Sequence, residues 1–292
     1  MRVIDFILNV VGLLLWLNWR ALFLEPIARP GPSLVGTLKS TGPSKGNRWK
    51  FLAALVGILF FRAFFYWMIA PHISWVPQLS FGPASLAFGP VTRALRGDVM
   101  TRMLLFSVLS FCLTLAVFYL CLLFFSWLNS DMRENDPCHR FVQLHLGWLE
   151  ALPGVSKLVF PIVAATLLWY GLNPVLNMLQ IAPASTPARL IGQGALIGVA
   201  FFGHLQYPLI AVLVFHLIDS YVYLGDHAFW SWSTGTTHHL LRPMRVIPLV
   251  AGNVDFAPLI ALGLLIGGPL VLGPWIEKWG IGLHHLFQRL VV

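Results

Sequence analysis

The chain has 292 residues, 58% of them hydrophobic and 10% charged, with a formal net charge of +8. A soluble domain carries about 25% charged residues, so composition excludes that class and makes the bilayer the solvent. The positive charge is dispersed through loops without a polybasic block, which excludes nucleic-acid binding and suits anionic lipid headgroups.

In chain order, six apolar segments are expected to span the membrane, at residues 3–23, 51–70, 103–127, 158–176, 190–217 and 256–272. The first is edged by Asp5, Asn9 and Asn18, lacks a signal-peptidase pattern, and runs into Trp16 and Trp19, so it reads as a span and not a leader. The fifth is long enough to tilt or protrude. Long loops follow the odd-numbered spans. Tryptophans recur where these spans end, at Trp16, Trp127 and Trp230, and W-L-N occurs at both Trp16 and Trp127. An amphipathic ring favours the headgroup level, so these residues and Trp148 are candidate lipid or partner contacts. The recurrence predicts three helical hairpin units, at 1–72, 73–180 and 181–292.

Before the fourth span, Phe141, Val142, Trp148, Leu149 and Leu152 fall on one helical face, the pattern of an interfacial amphipathic helix. The fold expected is therefore all-α: a polytopic membrane protein with about six transmembrane helices, three hairpins, and short interfacial helices before the even spans. Lysine and arginine favour the loops after odd spans, which would place those loops in the cytoplasm and both termini outside.

The stretch from Leu241 to Pro258 carries the most specific pattern. A basic segment with Arg242, Pro243, Arg245 and Pro248 precedes a turn at Gly252-Asn253; Asp255 then opens an apolar run with Pro258 in its first turn. Asp255 suits an N-cap, and Pro258 is tolerated where first-turn N–H groups lack helical partners. L-R-P-M-R-V-I-P followed by G-N-V-D-F-A-P resembles the signature of the YggT family of integral membrane proteins. The specific match covers about thirty residues, with weaker similarity over roughly the last hundred. The resemblance implies a non-enzymatic factor of the bacterial inner membrane: an accessory subunit, scaffold or assembly factor with a membrane-protein partner. It also admits a transporter or channel linked to osmotic tolerance. Chloroplast relatives are associated with maturation of a b-type cytochrome.

Several residues could carry chemistry. Arg62, at membrane depth among phenylalanines, would line a path, or else form a structural pair with Asp5 or Asp219 or snorkel along a tilted helix, and these structural readings are preferred to the path. His204 and His216 could ligate haem, but twelve residues turn them about 120° apart on a helix, so interhelical hydrogen bonding is preferred and no cofactor is expected. His216, Asp219 and Tyr223 share a face. The pairs His238-His239 and His284-His285 diverge, and the three cysteines, Cys112, Cys121 and Cys138, lack metal-ligand or redox spacing. No nucleophile–base or paired-carboxylate pattern occurs, and no enzyme is expected. Gly194-x-x-x-Gly198 and Gly263-x-x-x-Gly267 should allow close helix packing within the third hairpin.

Overall fold

The computed structural model describes residues 2–24, 48–73, 99–130, 137–178, 186–222, 227–246, 250–251 and 254–278. The chain is an all-α multi-pass membrane protein. Among the described residues, five helical stretches are long and apolar enough to cross a bilayer: Val3–Ala21, Trp49–Ala70, Met100–Leu128, Gly154–Met178 and Pro187–Tyr221. A sixth helix has a shorter apolar stretch at Ala257–Val271. Phenylalanine, leucine and valine cover the outer faces, as at Phe60, Phe61, Phe64, Leu167, Leu168 and Leu270. In water these side chains would be buried; acyl chains solvate them.

Contacts divide the chain into two units, with the boundary inside one helix. The first holds α1 (Arg2–Leu24), α2 (Arg48–Ile73) and the part of α3 (Met100–Leu128) up to Ala116. Helices α1 and α2 pack together. Gly12 makes room for Phe111 of α3, since a Cβ there would stand 3.0 Å from the Phe111 ring. Arg62, Ala63, Tyr66 and Ala70 form the buried stripe of α2 at helical spacing.

The second unit begins at Val117 in α3 and continues through α4 (Pro137–Leu146), α5 (Gly154–Met178), α6 (Pro187–Phe201), α7 (Gln206–Tyr221), α8 (Ala228–Leu241) and α9 (Ala257–Lys278). The expected interfacial helix is interrupted. Gly147 takes φ 58°, a conformation that only glycine adopts cheaply, and a 3-10 turn over Gly147–Ala151 follows. The break redirects the predicted face. Val142 and Leu146 pack against Leu122 and Leu123, with Leu149 alongside, whereas Phe141 and Trp148 are exposed, Trp148 to 71%. One helical wheel could not place these side chains because the segment is not one helix.

Helix α5 continues through Pro161 and Pro174. It packs along α6 at contact distance between backbones: a Cβ at Gly194 would meet Thr166 Cα at 2.6 Å, and one at Gly198 would meet Ile162 Cα at 2.7 Å. The glycine pair of the fifth span thus serves the fourth span and not the sixth. Gly263 and Gly267 of α9 have open space where a Cβ would lie.

The fifth apolar stretch is also not the single helix expected. A 3-10 turn at Phe202–Leu205 separates α6 from α7. As one straight helix, the 35 residues Pro187–Tyr221 would reach about 52 Å, well beyond a hydrocarbon core of about 30 Å. The turn assigns each half different neighbours: α6 lies on α5, and α7 lies on α8 and α9. Leu213, Leu241, Ala257 and Ala261 form the core of this second group.

A 3-10 turn over Arg242–Val246 leads to two short strands, β1 (Val250–Ala251) and β2 (Val254–Asp255), paired antiparallel with Val250 opposite Asp255. The Phe256 carbonyl accepts from Ile260 N–H at 3.0 Å, so Phe256, not Asp255, holds the cap position of α9. Strand pairing draws Asp255 one residue out of the cap. Pro258 is buried in the first turn of α9, where its missing N–H costs nothing.

Candidate functional site

The charged and polar groups at membrane depth are the candidates, because each must be satisfied by protein or destabilise the spans. In the first unit they converge on Arg62, which is 1% exposed. Its guanidinium donates to Asp5 Oδ1 at 2.8 Å, Asn9 Oδ1 at 2.7 Å and Ser110 Oγ at 2.9 Å. Tyr66 donates to the same Asp5 oxygen at 2.5 Å, and Asn9 Nδ2 donates to Ser110 Oγ at 3.1 Å. The Tyr66 and Phe106 rings stand 5.7 and 5.3 Å from the guanidinium carbon. The local reason is spacing. Asp5 and Asn9 are four apart on α1, and Arg62 and Tyr66 are four apart on α2, so each pair projects from one face. Asp5 also lies in the first turn of α1, where the helix dipole favours a carboxylate.

Three helices are thereby joined through one cation. Of the two carboxylates considered from sequence, Asp5 is the partner. Asp219 instead accepts from Thr234 Oγ1 at 3.1 Å.

A second buried cation lies in the other unit, and the sequence reading did not single it out. Lys157, in the first turn of α5, meets Glu150 Oε1 at 3.1 Å and donates to Ser126 Oγ at 2.7 Å. Ser126 in turn donates to Glu150 Oε2 at 2.5 Å. The left-handed Gly147 and the 3-10 turn bring Glu150 to this position, which periodicity cannot reveal. The side chain of Lys157 is 8% exposed and that of Glu150 24%. Removing the partner of the more buried charge costs more. Glu150→Leu is therefore expected to lower the melting temperature in detergent further than Lys157→Met does. Equal losses, or the reverse order, would contradict this.

The histidines are placed separately. His204 sits in the 3-10 turn with Nδ1 donating to the Phe201 carbonyl at 3.1 Å. His216 lies on α7, with Nδ1 3.3 Å from Thr234 Oγ1 and its ring 5.7 Å from that of His238 on α8. Among the described residues, no three His, Cys, Asp or Glu side chains are grouped so as to hold a metal ion.

Trp169 Nε1 donates to Gln193 Oε1 at 3.0 Å, adding a polar link between α5 and α6. Gln206, where α7 starts, donates to the Leu265 carbonyl of α9 at 2.7 Å. Asn129, just after α3, donates to Thr236 Oγ1 of α8 at 2.9 Å.

Arg242 and Pro243 are exposed. Arg245 and Asp255 are placed by backbone alone, and Pro248, Gly252, Tyr223, His284 and His285 lie outside the described residues. Among the tryptophans, Trp16 contacts Trp19 at 4.9 Å, Trp127 contacts Phe124 at 5.7 Å, and Trp230 contacts Phe229 at 5.1 Å and Phe215 at 5.9 Å. Trp148 meets Phe160 edge-on at 5.9 Å. Comparison with known proteins gives no match to any family model, curated protein or solved structure.

Proposed function

We propose that the chain is a non-enzymatic integral membrane protein of the YggT type, serving as an accessory subunit, scaffold or assembly factor of a bacterial inner-membrane complex. The observation that carries this reading is how Arg62 and Lys157 are used. Each is closed against a carboxylate and a serine hydroxyl, so its charge locks helices together instead of facing a passage. The outer faces of the same helices present apolar side chains suited to lipid or to a partner's spans. The exposed Arg242 adds a basic contact for phosphate headgroups or an acidic partner surface.

The test is purification from native membranes in mild detergent, with mass identification of the chains that travel along. A stoichiometric membrane-protein companion is expected. A lone chain, recovered across several mild detergents and crosslinkers, would count against the reading.

One observation favours a second reading, transport of an ion or solute. The fifth apolar stretch is interrupted, and interrupted helices are used at transport sites. Reconstituted protein should then carry flux above that of empty liposomes. The scaffold reading expects none.

A further inference from the structure

At the end of α3, unmet hydrogen-bond valences lie on both sides of the contact with α8. Asn129 is 1% exposed, yet its Oδ1 has no donor. Its Nδ2 is committed to Thr236 Oγ1 at 2.9 Å, and the Thr236 hydroxyl spends its proton on the Trp232 carbonyl at 2.7 Å. In this arrangement Oδ1 is the amide atom left without a partner. One helical turn away, the Trp232 indole N–H also has no acceptor, while its ring packs against Phe125 at 5.3 Å. Phe125 and Asn129, whose N–H bonds the Phe125 carbonyl at the C-terminal end of α3, are four apart, as are Trp232 and Thr236 on α8, so the two contacts are successive layers of one interface. A buried acceptor without a donor and a buried donor without an acceptor thus belong to adjacent layers of the interface. The adjacent Thr237, wholly buried, adds a hydroxyl with no partner.

We infer that this interface holds a neutral hydroxyl-bearing ligand, which donates to Asn129 Oδ1 and accepts from Trp232 Nε1. Leaving both groups unmet in a low-dielectric interface would cost stability. A cation would be repelled by the indole N–H and an anion by the amide oxygen, so the ligand is uncharged. Water has this chemistry, and so does the hydroxyl of a lipid headgroup; the site lies at the end of α3, a helix long enough to cross a bilayer. The site stands whether the chain is a scaffold or a transporter.

The test uses the full chain in detergent with 15N-labelled tryptophan. The Trp232 indole signal is assigned by its loss in Trp232→Phe, a substitution that keeps a packing ring and removes the N–H. A cross-peak from that indole proton to the water line identifies bound water. A cross-peak to lipid protons, lost on delipidation, identifies a lipid hydroxyl. Either result supports the site, and Trp232→Phe should then melt lower by about 2–4 °C. Absence of both cross-peaks overturns the inference. So does a Trp232→Phe variant that melts at or above the parent temperature with its other indole signals unmoved, because an empty site gains by losing a stranded donor.

Discussion

Asp5→Leu is expected to deplete the folded protein from membranes, and Arg62→Leu nearly as much. Each leaves its former partner's charge or hydrogen bonds stranded among α1, α2 and α3, and breaking one side of a buried pair costs about 3–5 kcal/mol. Arg62 is the more buried and holds three acceptors, whereas Asp5 retains Tyr66 as a donor after Arg62 is gone. The double substitution Arg62→Leu with Asp5→Leu removes both charges together. It should recover most of the loss, because apolar replacement of an entire buried pair is often neutral. Membrane accumulation and thermal unfolding in detergent measure all three variants. A double variant no better than the worse single one would show that Arg62 acts through something other than Asp5.

The second large effect is expected where α5 and α6 meet. Gly194→Ala places a methyl 2.6 Å from Thr166 Cα, and Gly198→Ala one 2.7 Å from Ile162 Cα. The obstructing atoms are backbone, so no rotamer change relieves the contact and the helices must separate. About 1–3 kcal/mol for each is the expected loss, and together they should prevent the pair from docking. The same substitution at Gly263 or Gly267 meets nothing within 4 Å and should be neutral or slightly stabilising to the isolated chain, since alanine favours helix. Melting temperatures of the four variants provide the check. If Gly263→Ala leaves the melting temperature intact but releases a co-purifying chain, that face of α9 belongs to the partner.

The helical, membrane-spanning character of the chain was legible because long apolar runs have one physical solution in a bilayer. The preference for Arg62 as half of a structural pair was legible for a related reason: a buried guanidinium requires a counter-charge. Asp5 was an available candidate beside Asp219, and residue spacing alone does not choose between them. Other features depend on backbone breaks, which hydropathy averages away. The left-handed Gly147 moves Glu150 to Lys157 and turns Trp148 outward. The 3-10 turn at Phe202–Leu205 gives α6 and α7 separate neighbours. Two strand residues before α9 shift its cap from Asp255 to Phe256. Asn129, which lies at the end of the W-L-N recurrence, is buried and committed to α8. The recurrence suggested repeat units and did not single out the asparagine itself.

The Arg62 cluster also bears on how the chain is made. Asp5 precedes Arg62 by 57 residues, so the carboxylate leaves the ribosome first and occupies the bilayer before the guanidinium must enter it. Entering alone, the arginine would oppose insertion of α2 by about 2.5–3.5 kcal/mol. Entering beside α1, it finds a counter-ion already in place, and the Ser110 hydroxyl arrives later with α3. The order of synthesis thus matches the order in which the buried charge needs its neighbours.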